Sequence, residues 1–576
     1  MLLLKGHGTH AVLYGDTAPY WNRKVMTAEA VCGYRQGFYP TDPRTGQFEY
    51  FFPEAASLTG DAVDVTAALD ALADATIENP DPPKNSKIAP VFTYFGQFID
   101  HDITANTDRE AGISIIDRET VESASRLAVS HGLGNLRFAA LDLDSVYGGG
   151  FEEGPIAEML RKALRSPSFP AKMEVGVDFN VPGEEAELPA DAGRDLLRLD
   201  WAVRSGQIDL DVLRRGPEDV RQLFFHNGNP DTPNLSRAII GDARNDENLA
   251  VAQFHLAILR LHNKIVDAAP SCMRNMGTEA VFIWARRMTK WIYQWLIRHA
   301  YLPAICDPAT LQDVETRGPV LYDELITKHP SFGDILPMPL EFSVAAFRFG
   351  HSMARESYDW NRIFSADNDN RASFEQLFLF TGNNGMPTPR LPSNWPISWD
   401  RFVRPPGDDD ERSALKIDTG LNKHFGNMLN ERPGLSGSMA HLARRNLRRG
   451  YRLNVPTAQG CLKVLAAKGI DLPALTEDQL LTGHTRDAVK NGGFQTATPL
   501  WFYILKEAEV LRDGESLGPL GTTIVADTLI GLIKHTPRSY IAEAPGGRAW
   551  TPADSVRPEG VAITDIATMM QAAGLR

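Results

Sequence analysis

Six consecutive residues, Gln97-Phe98-Ile99-Asp100-His101-Asp102, place an amide, an imidazole and two carboxylates in an apolar stretch that begins Phe92-Thr93-Tyr94-Phe95-Gly96. A buried carboxylate costs several kcal/mol unless it is paired or bound to a metal, so two beside a histidine call for a chemical reason. At about 100° of rotation per residue, Gln97 and His101 lie within roughly 40° of each other, and Asp100 falls about 60° to the other side of Gln97. Asp102 lies about 200° round from Asp100 and faces elsewhere. The same turns of helix therefore serve two places, one wanting an imidazole and the other an anion. A lone histidine on an apolar helix face is ordinarily a packed core residue; clustered polar partners weigh against that. A metal-dependent phosphohydrolase built on His101-Asp102 would need further ligands, and only His255 and His262 offer themselves.

Two more constellations lie far along the chain. Gly241-Asp242-Ala243-Arg244-Asn245-Asp246-Glu247-Asn248 precedes a helical run from Leu249 to Val266. Arg244 and Glu247, three apart, share a helix face; alone, such a pair is most often a surface ion pair. In Phe347-Arg348-Phe349-Gly350-His351 a histidine follows aromatic residues and a glycine, the residue that lets a flat ligand approach the backbone. A packed core histidine is again the plain alternative. Two histidines on separate apolar segments, an arginine and aromatic surroundings suggest a haem pocket with one axial and one uncoordinated imidazole. An open sixth position is what separates peroxide chemistry from electron transfer.

On these residues the chain resembles the animal-type haem peroxidases of the peroxidase-cyclooxygenase superfamily, over roughly residues 88 to 540. The anchor is Gly96-Gln97-Phe98-Ile99-Asp100-His101-Asp102. The resemblance implies haem b as cofactor, with His101 as distal base, Gln97 as its pocket neighbour and Arg244 as distal arginine. It implies Asp100 and Glu247 as carboxylates able to form esters to haem methyls, and His351 as the iron ligand. Asn446, in Leu442-Ala443-Arg444-Arg445-Asn446-Leu447-Arg448-Arg449, matches an asparagine that accepts the proximal imidazole's other proton, and Arg348 and Arg449 sit where propionates are paired. Phe138-Ala139-Ala140-Leu141-Asp142-Leu143-Asp144-Ser145-Val146-Tyr147-Gly148 resembles the family's calcium loop. That implies a calcium ion on Asp102, Asp142, Asp144 and the Phe138 and Ala140 carbonyls, with hard oxygen ligands suiting the ion. The implied reaction uses hydrogen peroxide to oxidise a halide, a phenol or another small donor.

The chain departs from the family at two positions. Phe138 stands where relatives carry a threonine whose side chain binds calcium, and Asn248 stands where some carry a methionine that forms a sulfonium link. The enzymatic rival is a fatty-acid dioxygenase or peroxygenase of the same superfamily, and the loop Leu141 to Tyr147 looks closer to that branch. Dioxygenases carry a radical-forming tyrosine three residues before the proximal histidine, where this chain has Arg348. A haem-binding or adhesion protein with a peroxidase fold is the non-enzymatic alternative.

The elements that must position these residues read as a mainly α, large single-domain fold with long irregular loops. Helical periodicity marks about 90–104, 246–267, 278–300, 341–354, 436–448, 457–468, 500–512 and 521–535, while strand-like alternation is scarce. Residues 1–87 read as an arm with one short helix near 67–75, closed by Asn79-Pro80-Asp81-Pro82-Pro83; 88–545 form the catalytic domain and 546–576 a tail. Apolar content of 43% and charged content of 23% over 576 residues suit a soluble globular chain with a large core. A net charge of −14 argues against nucleic-acid or anionic-membrane partners, with the run Arg444, Arg445, Arg448, Arg449 and Arg452 as a local exception. Cys32, Cys272, Cys306 and Cys461 are too scattered for a disulfide framework, so packing must hold the fold, as a monomer or a non-disulfide oligomer. Met1-Leu2-Leu3-Leu4 is too short for a signal-peptide core, and no run is long enough to span a membrane. The expectation is a soluble protein, cytoplasmic or exported without a cleaved signal.

Overall fold

The computed structural model describes residues 2–6, 9–12, 46–105, 118–135, 137, 139–148, 155–182, 193–226, 229–329, 336–382, 389–404, 411–428, 437–543 and 550–576. Among the described residues seven longer helices frame the interior: α1 (Ala62–Ile77), α2 (Val91–Ile103), α3 (Leu249–Asp267), α4 (Thr278–Leu296), α5 (Leu442–Arg452), α6 (Leu500–Arg512) and α7 (Pro519–His535). Among the described residues strands are short and peripheral. β1 (Leu2–Gly6) pairs antiparallel with β2 (Thr9–Val12). β3 (Gly46–Glu49) lies between β4 (Gly134–Asn135), antiparallel, and β5 (Met338–Pro339), parallel. β6 (Ser357–Tyr358) pairs with β7 (Ala372–Ser373). The expected mainly α fold with little β-structure is what the chain adopts.

Helix α3 is the centre of the core. It starts where Asn248 caps it by accepting the Val251 N–H at 3.0 Å, and it is buried on nearly every side, as expected of a helix that is apolar all round. α2 and α4 pack against it, with Phe95 stacked on Phe254 at 5.0 Å between ring centroids. Gly96 on α2 lets Tyr301 come in: a Cβ at that position would stand 2.5 Å from the tyrosine oxygen. Tyr301 closes a π-turn, Ile297–Tyr301, that continues α4.

Several expected boundaries moved for local reasons. The first helix is longer than 67–75, because Asp61 caps it and accepts the Val63 N–H at 2.9 Å. The stretch 341–354 is not one regular helix. A wide turn, Glu341–Ala345, breaks at Ala345 (φ −129°, ψ −77°) and gives way to a tight turn, Ala346–His351. Phe342 and Phe347 stack across the break at 4.4 Å. Two arginines of the basic run on α5 pair with acids on α1: Arg444 donates to Asp74 at 2.9 Å and Arg448 to Asp70 at 2.7 Å. The segment expected to be a tail is docked, since Met569 and Met570 are buried and Arg260 on α3 donates to the Ala573 carbonyl at 3.2 Å.

The N-terminal segment is tied in by one buried acid. Glu341, fully buried, accepts the backbone N–H groups of Phe51 at 2.9 Å and Phe52 at 3.1 Å. Burial pushes its carboxyl up from 4.5 to about 7. The folded state therefore holds a proton that the unfolded chain releases, so this group's contribution is complete below about pH 4.5 and is lost as pH rises to about 7. Urea titrations across that range should show stability falling by roughly 3 kcal/mol from this source, and Glu341→Gln should flatten the slope. An unchanged slope in the variant would assign the acid no such role.

Candidate functional site

An open cleft is bounded by Gln97, Asp100 and His101 of α2, by Glu247 and Asn248 ahead of α3, by Arg348, Gly350 and His351, and by Asn446 and Arg449 of α5. The two histidines singled out in the sequence thus share one cavity. Each is delivered by a different local device. His101 rides on α2, whose other face is held in the core by Phe95, Phe98 and Ile99. His351 ends the tight turn Ala346–His351, where its Nδ1 lies 3.1 Å from the Arg348 carbonyl.

Both rings are held neutral. Burial, reinforced by the charge of Arg244, lowers His101 to about 4. Burial, reinforced by Arg348, lowers His351 to about 3. With Nδ1–H donating to the Arg348 carbonyl, His351 keeps its Nε2 lone pair for an electrophile such as a metal. On the other side, His101 Nδ1 lies 3.0 Å from Asn245 Oδ1 and its Nε2 lies 3.8 Å from Glu247 Oε2. Gln97 and Asn248 hold that carboxylate, with Asn248 Nδ2 donating to Gln97 Oε1 at 3.0 Å and Gln97 Nε2 to Glu247 Oε2 at 3.2 Å.

Asp100 and Arg348 face each other at 3.5 Å, and Thr104 Oγ1 donates to Asp100 at 2.7 Å. Burial would raise the Asp100 carboxyl, but Arg348, then His101 and Arg244, more than offset it and hold it below its usual range.

Arg244 is not where the sequence reading put it. It is absent from the cleft wall, and every nitrogen of its guanidinium is engaged: Nε with Asp242 at 3.1 Å, Nη1 with the Thr104 carbonyl at 2.7 Å, and Nη2 with the His101 carbonyl and Asp242, both at 2.7 Å. The last carbonyls of a helix lack intrahelical partners, and Arg244 fills that need for α2. It holds the end of the helix that carries His101, and its charge helps to lower the His101 ring.

Asn446 also departs from expectation. The His351 Nδ1 proton goes to the Arg348 carbonyl, which the tight turn brings within reach. Asn446 instead leaves Nδ2 buried on the cleft wall without a hydrogen-bond partner among the described residues.

The second face of α2 behaves as an anion site. Asp102 accepts from the backbone N–H of Leu143 and of Ser145, both at 3.2 Å, and from Ser145 Oγ at 2.8 Å. Leu141 and Leu143 hold left-handed backbone (φ 45° and 61°), a conformation that costs a non-glycine residue about 1–2 kcal/mol. Gln294 secures this loop through the Leu141 carbonyl at 2.9 Å. Burial and the nearby Asp142 raise Asp102 to about 6. Burial pushes Asp144 well up, against the opposing charge of Arg137.

The calcium expectation meets a different cation here. Arg137 lies 3.2 Å from Asp144 and 2.5 Å from Asp242, and the Ala140 carbonyl accepts from Thr536 at 2.6 Å. Among the described residues no three acidic, histidine or cysteine side chains are disposed to hold a metal, and Phe138 lies outside the described residues. Among the described residues, Asp142, Asp144, Asp102 and Ala140 thus give the expected calcium shell no support. Nor do His255 and His262 converge on His101-Asp102: His262 is engaged by Tyr147 at 2.9 Å and by the Ala171 carbonyl at 2.9 Å.

The residues that sequence reasoning missed are Asn245, Asp242 and Arg137. Asn245 and Asp242 flank Arg244 by one and two positions, so the signal was present in that segment's density of polar side chains. Arg137 carried none.

The cleft suits a flat, anionic, metal-centred group. It has one free imidazole nitrogen on each side, arginines at its rim, a buried amide nitrogen without a partner, and open space at Gly350, where a Cβ would meet nothing within 4 Å. Those residues fit a haem.

Residues 201–384 match the animal haem peroxidase family. A peroxidasin homologue of Caenorhabditis elegans is 24% identical over 297 residues, 47% of this chain and 20% of that protein. Human thyroid peroxidase is 30% identical over 115 residues, 20% of this chain and 11% of that protein. The matches thus take in a fifth or less of those relatives. Among solved structures, peroxidase A of Dictyostelium discoideum superposes with a TM-score of 0.52 at 17% identity, covering 92% of each chain. A fatty acid alpha-dioxygenase of Oryza sativa does so at 0.52 and 13% identity, covering 100% of this chain and 85% of that one. Both likenesses concern the fold.

Asp242 is fully buried, and burial's upward push on it is overridden by Arg137 and Arg244, which hold it well below its usual range. Removing its charge strands two arginines. Asp242→Asn should lower unfolding stability by about 3–5 kcal/mol, read as an earlier urea midpoint; a loss under about 1 kcal/mol would show that the cluster is solvated.

Proposed function

Because this chain belongs to the animal-type haem peroxidase superfamily, we propose that the cleft holds a haem b and that the protein is a peroxidase using hydrogen peroxide to oxidise a small donor. The observation that carries this reading is the pair of neutral imidazoles, His101 and His351, on the walls of one cavity. His351 Nε2 would hold the iron. Arg348 and Arg449 would face the propionates, and Asp100 and Glu247 are the carboxylates available for ester links. When bound, the haem would supply the electrons that reduce peroxide and the oxidising power passed on to a halide, a phenol or a similar donor.

The protein's own contribution is proton movement and position. His101 presents an unprotonated Nε2 to the cavity, so it takes a proton from the incoming peroxide oxygen and returns it to the departing one. A neutral ring is required for the first half of that exchange, and burial keeps it so. Gln97 and Asn248 hold Glu247 beside His101 and give the distal side a fixed polar edge. Arg244 keeps the end of α2 in register with Asn245 and places a positive charge behind the site.

A lipid-oxidising reading has one observation in its favour: Phe374, Leu377, Phe378, Phe425 and Met428 give the cleft an apolar wall. Against it, the position three before His351 is Arg348, with Nε bonded to the Ser343 carbonyl at 2.9 Å, so no tyrosine stands there to abstract hydrogen. Oxygen uptake on a long-chain fatty acid without added peroxide would favour that reading.

Purified protein supplied with haem should show a Soret band and oxidise iodide or guaiacol only with hydrogen peroxide. His351→Ala should lose the band. His101→Leu should keep it and slow the first reaction with peroxide by about 10²–10⁴-fold. Acid-acetone extraction before and after peroxide turnover would report ester formation at Asp100 and Glu247. A Soret band with no donor oxidation would reduce the protein to a haem-binding module, and no band at all would end the proposal.

A further inference from the structure

The hydrogen bonds of His101 continue inward, away from the cleft. Asn245 is fully buried and stands between two rings: its Oδ1 lies 3.0 Å from His101 Nδ1 and its Nδ2 lies 3.0 Å from His255 Nδ1. His255 is fully buried on α3, and among the described residues its Nε2 has no hydrogen-bond partner. We propose that Asn245 is a positioning residue that holds His101 in the tautomer with its proton on Nδ1, and that His255 sets which end of the Asn245 amide faces His101.

Donor and acceptor capacity fixes both tautomers. A neutral imidazole has one N–H and one lone pair, an amide oxygen only accepts, and an amide nitrogen only donates. With Oδ1 toward His101, Nδ1 of His101 must carry the proton, and Nε2 is left as the lone pair aimed at the cleft. With Nδ2 toward His255, Nδ1 of His255 must be the acceptor, and its proton sits on Nε2. Turning the amide over inverts both rings together. His101 would then carry its proton on Nε2 and could not accept one from a substrate. The tautomer of a ring in the cleft is thereby coupled to that of a ring in the core. Leaving the buried His255 N–H without an acceptor is costly, a cost that packing alone gives no reason to carry.

An aspartate at 245 would still accept from His101 but could not donate to His255, whereas leucine could do neither. The proposal rests on the reading of His101 as the proton-accepting group, but its central measurement does not need turnover. Full-length protein carrying ¹⁵N-labelled histidine, with His101 assigned by a His101→Gln variant, reports the protonated ring nitrogen directly by NMR in the haem-free chain. Wild type should show His101 protonated on Nδ1. Asn245→Asp should keep that pattern, and Asn245→Leu, folded by circular dichroism, should move the proton to Nε2. His255→Leu should give a mixture of the two forms. In haem-loaded protein Asn245→Leu should slow the first reaction with hydrogen peroxide by about 10²-fold, while Asn245→Asp should not.

An Nε2–H tautomer in wild type, or an unchanged Nδ1–H tautomer in folded Asn245→Leu, overturns the proposal. An unchanged pattern in His255→Leu removes the part assigned to His255. If Asn245→Leu does not fold, the wild-type and Asn245→Asp spectra decide. A chain that shows the expected tautomers but takes up no haem refutes the peroxidase reading and leaves this coupling standing.

Discussion

The carboxylate of Asp242 is the joint on which the site turns. It receives Arg137 from the loop after β4 and Arg244 from its own turn, and it caps that turn by accepting the Arg244 N–H at 3.0 Å. Arg244 in turn grips the carbonyls of His101 and Thr104. A buried charge network of this kind adds little net stability relative to well-packed apolar groups, but removing one member is expensive. What it supplies is a single geometry. The end of α2, the turn Ala243–Asp246 and the start of α3 become one rigid piece, and His101, Asn245 and Glu247 keep fixed places within it.

The sequence was most legible where one segment carries both its fold and its chemistry. In Gly96 to Asp102 the apolar positions orient the helix and the polar ones fall on faces that period alone predicts, so His101, Gln97 and Asp100 could be put on a common side and Asp102 on another. The same reasoning placed α3, α4, α6 and α7 to within a few residues. It failed where the backbone departs from a regular period. The stretch 341–354 has helical spacing but breaks at Ala345, and that break is what lets the Arg348 carbonyl, not Asn446, receive the His351 Nδ1 proton.

It failed also where a long, charged side chain chooses among distant partners. The family resemblance implies a pocket place for Arg244, yet the helix-end carbonyls and Asp242 offer its guanidinium four acceptors at 2.7–3.1 Å, which an open cavity does not. Arg137, more than a hundred residues away in sequence, supplies positive charge where a divalent ion was expected. Neither choice leaves a trace in local pattern, because both are decided by tertiary neighbours.

The close approach at Gly96 has a consequence for divergence within the family. With the Tyr301 oxygen filling the space that any side chain at 96 would need, the two positions cannot drift independently. A lineage that acquires alanine at 96 must first shorten the residue at 301 or straighten the π-turn that presents it. Substitutions there are therefore expected in pairs, in that order, and a homologue carrying both bulky residues would have to route α2 differently past α4.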